Sequence, residues 1–172
     1  MQVPEREEHP AATESHQVRL DYLSIVATLA FSDGNEEQRE ADVLTSLAQA
    51  LQLNDGDVAQ CLEFAKQGQD AAIAKAESFR STGLAVQLLS DAIAVIFADR
   101  EVATTESHEI ARLAQALDIQ LAQAQLLARS VEGRLSVDPG SLSSTLGHAL
   151  VDEQAPRTGF LSWLFGRRRG PT

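Results

Sequence analysis

The sequence predicts an all-α fold: a single helical bundle of about seven helices, with an internal pseudo-twofold duplication. Three observations carry that expectation. Aromatic residues make up 5% of the chain, there are five prolines in 172 residues, and Ala and Leu are abundant, a composition that favours helix. Apolar residues recur at helical spacing in one segment after another. The chain also repeats itself. Slid by 66 residues, "FSDGNEEQREADVLTSLAQALQL" (31–53) lies over "FADREVATTESHEIARLAQALDI" (97–119), with Phe31 on Phe97, Asp33 on Asp99, Glu40 on Glu106 and "LAQAL" on "LAQAL". Two related helical hairpins packed about a pseudo-twofold axis would bury both apolar faces.

Each element has its own signal. Residues 1–16, with Pro4, Pro10 and a run of charges, read as a disordered leader that also takes in His9 and His16. From Val18 to Phe31 an apolar stripe (Leu20, Leu23, Ala27, Ala30) predicts the first helix. A second is expected over about 37–52, ending at the break "NDGD", where Asp55 is a natural N-cap for a third helix over about 56–67. "DAAIAKAESFR" (70–80) predicts a short helix, and "GLAVQLLSDAIAVIFA" (83–98) a strongly apolar one. After the break "DREVATTES", the segments "EIARLAQALDI" and "LAQAQLLARSVE" supply the last two. The helical domain is expected over 17–152, followed by a flexible linker and an amphipathic tail over 153–172.

Charge and cysteine content narrow the function classes. A net charge of −11 argues against nucleic acid, whose phosphates need clustered Lys and Arg, and favours cations or basic partners. Cys61 is the only cysteine, so no intramolecular disulfide can form, and a reducing, cytoplasmic setting is the simpler expectation. The opening "MQVPEREEHPAATESHQ" is polar and has no apolar core of a secretory signal. No stretch approaches the roughly 20 apolar residues that span a bilayer. The four histidines (His9, His16, His108, His148) lack metal-ligand spacing, and there is no Gly-rich phosphate loop or nucleophile elbow. His108 is expected to be exposed, and Cys61 to be a small core residue of the third helix. The expectation is therefore a protein that is not an enzyme and has no small-molecule substrate.

The acidic positions are the most distinctive chemistry. Glu40 heads the series Glu40, Leu44, Leu47, Leu51, and Glu106 heads Glu106, Ile110, Leu113, Leu117; both series follow i, i+4, i+7, i+11 and so lie on one helical face. A carboxylate at the edge of a core is costly unless hydrogen-bonded or neutralised. Two readings stand. Each glutamate caps its own helix start, where the helix dipole also favours negative charge. Alternatively Asp33, Glu40, Asp99 and Glu106 converge on a shared hard cation such as Ca²⁺ or Mg²⁺. Asp91, inside "LLSDAIAVIFA" and on a face with Leu84, Leu88, Val95 and Ala98, either joins them or is hydrogen-bonded to a neighbouring helix. The break is not an EF-hand loop, because the twelfth position from Asp33 is Leu44.

The doubled pattern, an apolar helix, (A/S)-D-G, five residues, E and a second apolar helix, resembles the TerB family of tellurite-resistance and stress-response proteins. It is also similar to the N-terminal domain of some membrane-anchored DnaJ-like co-chaperones. The resemblance covers about residues 18–150. It implies an all-helical fold with internal duplication and an acidic cluster proposed to bind metal. The motif falls on Asp33, Gly34 and Glu40, and again on Asp99 and Glu106. Arg100 replaces the glycine in the second copy, and Glu37 and Ala103 stand where the family commonly has Ser or Thr.

After Pro156 the chain changes character to "GFLSWLFGRRRG". At 100° per residue Phe160, Leu161, Trp163, Leu164 and Phe165 cover one wide arc, and Arg167, Arg168 and Arg169 follow at once. The segment is too short to span a bilayer but suits the headgroup boundary. Burying its five large side chains would yield at most roughly 8–15 kcal/mol before ordering costs, and each arginine adds about 1 kcal/mol near anionic lipid. Two other readings stand beside this interfacial anchor: docking on its own acidic bundle, and a linear motif anchored in a partner's groove by Trp163. Together these features predict a non-enzymatic, TerB-like stress-response or scaffold module. A membrane surface or protein partner would hold it by the tail, at the inner face of the membrane.

Overall fold

A computed structural model of the chain describes residues 8–31, 38–96 and 104–135, with the backbone alone at 38–40, 104–107, 121 and 132–135. Among the described residues the fold is an all-α bundle without strands: α1 (His16–Ala30), α2 (Gln38–Ala50), α3 (Asp55–Ala65), α4 (Gln69–Ala76), α5 (Ala85–Ile96), α6 (Thr104–Ala116) and α7 (Leu121–Leu135). Two 3-10 turns, Pro10–Thr13 and Glu77–Phe79, complete it.

Helix α1 is the axis. Ser15 starts it by accepting the Val18 N–H on its hydroxyl at 3.3 Å. From Tyr22 to Ala30 every residue is buried, so the helix has no solvent face over its last nine positions. The stripe Leu20, Leu23, Ala27, Ala30 is only part of what it buries, because α2, α3, α4, α5 and α6 all pack on it. The polar Ser24 and Thr28 are tolerated inside, Thr28 donating its hydroxyl to the Ser24 carbonyl at 2.7 Å. The second inner helix is α5, which lies against α1, α2, α6 and α7 and buries Leu88, Leu89, Ala92, Ile93, Val95 and Ile96.

The outer helices are amphipathic. Leu44, Leu47, Ala48 and Leu51 face inward from α2 and its end, while Asp42, Thr45, Ser46 and Gln49 face out. Its end is a Schellman turn: Gln52 takes φ 56°, its N–H donates to the Gln49 carbonyl at 3.0 Å, and the Leu53 N–H donates to Ala48 at 3.0 Å. The turn after α6 has the same bonds, with Asp118 at φ 59°, Asp118 N–H to Gln115 at 3.1 Å and Ile119 N–H to Ala114 at 2.9 Å. An arginine from elsewhere covers each helix end. The Arg19 guanidinium donates to the Leu51 carbonyl at 3.0 Å, and Arg80 Nε donates to the Ala116 carbonyl at 3.1 Å. Helix α7 turns Ala124, Ala128 and Val131 inward, small side chains that let it lie close to α5.

Two local expectations are corrected. The N-cap of α3 is Asn54 and not Asp55. The Asn54 side chain accepts the Asp57 N–H at 3.0 Å, and the Asp57 carboxylate accepts the Asn54 N–H at 3.0 Å, a reciprocal box that Asp55, one position later, cannot make. The leader expected over 1–16 also stops short of residue 16. His9 caps the turn Pro10–Thr13, Ala11 is fully buried, and His16 is the first residue of α1.

Candidate functional site

The described polar groups concentrate on Asp91, at the α1–α5 seam. Helix periodicity puts Gln87 one turn before it, and the Gln87 side-chain amide donates to Asp91 Oδ1 at 2.9 Å. From α1 the Tyr22 hydroxyl donates to Oδ2 at 2.6 Å. From the N-terminal segment His9 Nε2 meets the same oxygen at 2.8 Å. The tautomer of His9 follows from its other nitrogen. Nδ1 accepts the Ala11 N–H at 3.1 Å and therefore carries no hydrogen, so Nε2 carries it and donates to Asp91. Three donors thus converge on one carboxylate that is 15% exposed, beside an imidazole that is 10% exposed.

Aromatic packing holds the donors in place. The His9 ring stands edge-on to Tyr22 with centroids 5.5 Å apart, and Tyr22 stands edge-on to Phe79 at 6.0 Å. Burial pushes the Tyr22 hydroxyl far above the ordinary phenol range; the Asp91 charge and its hydrogen bond add to the shift. Tyr22 therefore remains a proton donor. Chemically the cluster is an acceptor met by three donors: both oxygens of Asp91 and both nitrogens of His9 are engaged.

Two further polar groupings lie nearby on α1 and its neighbours. Asp57 pairs its Oδ1 with His16 Nε2 at 3.0 Å, and its carboxyl is held below the ordinary aspartate value of 3.8. The Asn54 backbone N–H is the largest cause, ahead of His16 and the Arg19 charge, and burial opposes them. Lys75 pairs with Asp21 at 2.6 Å, its ammonium 4.7 Å from the centre of the Phe64 ring. Cys61 is buried as expected, its thiol directed at the Leu20 carbonyl at 3.5 Å, and burial raises its pKa.

The expected site residues fare differently. Asp33 and Asp99 fall in the breaks, outside the described residues. Glu40 and Glu106 are each the third residue of their helices, α2 and α6, and their side chains also lie outside the description. Phe160, Leu161, Trp163, Leu164, Phe165, Arg167, Arg168 and Arg169 lie outside it as well. Of these, Asp91 alone has a described side chain, and it accepts hydrogen bonds from His9 of the N-terminal segment, Tyr22 of α1 and Gln87 of its own helix. Among the described residues no three His, Cys, Asp or Glu side chains are grouped to hold a metal ion.

Sequence reasoning missed three positions. His9 falls in the expected leader, although the proline that follows it, at the first turn position, is a recognisable start signal. His108, expected to be exposed, is half-buried. Glu109, one turn beyond Glu106, is 2% exposed on α6, and nothing in the local pattern separates it from the solvent-facing acids. Comparison of the chain with protein-family models, with curated proteins and with solved structures gives no match.

Proposed function

We propose that the protein is a non-enzymatic helical scaffold of TerB-like type, tethered to an anionic membrane surface by its C-terminal segment. The observation that carries this reading is the tail itself, where "GFLSWLFGRRRG" sets Phe160, Leu161, Trp163, Leu164 and Phe165 against Arg167, Arg168 and Arg169. No Asp or Glu follows Glu153, whereas Arg157 and the three terminal arginines do, so the tail is basic and the remainder strongly acidic. No helix among the described residues is long and apolar enough to cross a membrane. The non-enzymatic part draws support from the engagement of both His9 nitrogens and both Asp91 oxygens within the fold and from the buried thiol of Cys61.

Co-sedimentation with anionic and neutral vesicles tests the tether. The full chain should pellet with anionic vesicles, and a truncation after Pro156 should stay in the supernatant. Equal pelleting of the two would overturn it, and capture of a protein partner without lipid binding would move the reading to a linear motif anchored by Trp163.

A second reading concerns the acidic junctions. In the scaffold reading Asp33, Glu40, Asp99 and Glu106 share a divalent cation, Ca²⁺ or Mg²⁺. The alternative is a structural protein–protein adaptor whose acids only cap helices. It is favoured by the third-residue position of Glu40 and Glu106, from which a glutamate reaches back to the free N–H groups of the helix start. Calorimetric titration separates them. Heat of binding together with a raised melting temperature supports the cation; neither, for both ions, leaves the capping role.

A further inference from the structure

We infer that residues 8–13 form a releasable strap over the α1–α5 seam, clasped by His9 on Asp91, and that it opens without unfolding the bundle. The strap is held by few groups, and most of them are polar. Its buried contacts are the methyl groups of Ala11 and Ala12 and the His9 ring edge-on to Tyr22. Against these stand the His9–Asp91 hydrogen bond at 2.8 Å and the bond from the Gln52 side chain to Glu8 at 2.9 Å, the latter exposed and exchangeable with water. Its own closure is a single turn, with Ala12 N–H donating to the His9 carbonyl at 2.8 Å and Glu14 N–H to Ala11 at 3.2 Å.

The hinge is built in. Glu14 and Ser15 are exposed and extended, with φ −77° and ψ 168° at Glu14 and φ −57° and ψ 153° at Ser15. Rotation there swings the strap away and leaves the α1 cap, Ser15 to Val18 N–H, intact. Segments with little buried apolar surface open at free energies well below the global one. What the strap controls is access to the seam: Tyr22 and Asp91 lie directly beneath the His9 ring, and opening returns one acceptor site of Asp91 Oδ2 to solvent while Tyr22 and Gln87 keep the carboxylate oriented.

Amide hydrogen exchange of the full chain tests the inference. The amides of Ala11, Ala12 and Glu14 should exchange at least about a hundredfold faster, after correction for intrinsic rates, than those of Leu23, Ile25 and Ile93. His9→Ala should raise exchange in the strap a further tenfold or so, and the three core amides, which open from the same closed state, should rise by no more than that factor. Asp91→Asn, which keeps an acceptor oxygen but loses the charge, should loosen the strap in the same direction. A common exchange rate for strap and core in the parent chain would overturn the proposal. So would a His9→Ala chain that leaves strap exchange unchanged or fails to fold, or an Ile93→Val chain that speeds the strap amides as much as the core ones, since each would make His9 irrelevant to the segment or the segment part of the core.

Discussion

Asp91 shows how one residue's environment decides its role. On sequence it is an acid in an apolar helix, a pattern that more often marks a carboxylate hydrogen-bonded to a neighbouring helix than a ligand. The three donors make removal of either side of the network costly, because buried polar groups lose more when orphaned than a bond gains when made. Tyr22→Phe, which deletes one donor and keeps the ring, should lower stability by about 1–2 kcal/mol. Asp91→Ala, which strands the Tyr22 hydroxyl together with His9 and Gln87, should lower it by about 3 kcal/mol. Urea titration of the two variants checks the order as well as the size. Asp57 carries a pH signature. Its folded carboxyl lies below the unfolded value of 3.8, so its stabilisation is present above that value and is lost as pH falls through the folded one. The parent chain should therefore weaken in urea as pH falls below about 4, and Asp57→Asn should reduce that slope. Cys61 should react with a thiol reagent at least about a hundredfold more slowly in the native protein than in urea, because the thiolate is disfavoured and the sulfur is covered.

Among the elements, the helix ends are the most informative. The turns after α2 and α6 place Gln52 and Asp118 in the left-handed region, where glycine is the favoured residue. Gln52→Gly and Asp118→Gly should each stabilise by up to about 1 kcal/mol, the relief of left-handed strain exceeding the added entropy of the unfolded chain. Thermal melting checks this. Gly68 is the reverse case. It holds φ 88° before α4, and a Cβ there would meet no atom within 4 Å, so the loss in Gly68→Ala comes from backbone conformation alone, about 1 kcal/mol. The inner faces of α7 give a packing test. Ala128 is fully buried on a helix that lies against α5, and Ala128→Leu should cost about 1–3 kcal/mol through overpacking.

For the whole molecule, the arrangement is two inner helices, α1 and α5, wrapped by amphipathic ones. A core shared in this way links distant parts of the chain: the N-terminal segment, α1 and α5 meet at one carboxylate although His9 and Asp91 are 82 residues apart. The tether proposed for the tail and the strap over the seam belong to opposite ends of the chain and are tested separately. Truncation after Pro156 should abolish vesicle binding and leave the exchange pattern of Ala11, Ala12 and Glu14 unchanged. If the truncation altered strap exchange, the tail would be docking on the bundle, the reading in which its arginines are drawn to the acidic body.

What the sequence determined by itself is the helical class and, among the described residues, where most of the helices lie. Those depend on local propensity and on apolar periodicity, both written within a dozen residues. The match between the turns after α2 and α6 was legible too, since "LAQALQL" and "LAQALDI" share the spacing that closes both. The amphipathic α2 could be read face by face. In α1 the same reading found one stripe, because a helix buried on every side looks amphipathic wherever small and polar residues interrupt it. Tertiary structure alone decided which acid is a hydrogen-bond centre and which is buried. Asp91 owes its role to a donor that a distant segment brings to it, and no local pattern encodes a partner 82 residues away. The ordering of residues 8–13 has the same cause: a polar, proline-containing segment has no reason to fold until α1 and α5 together present the carboxylate that His9 clasps.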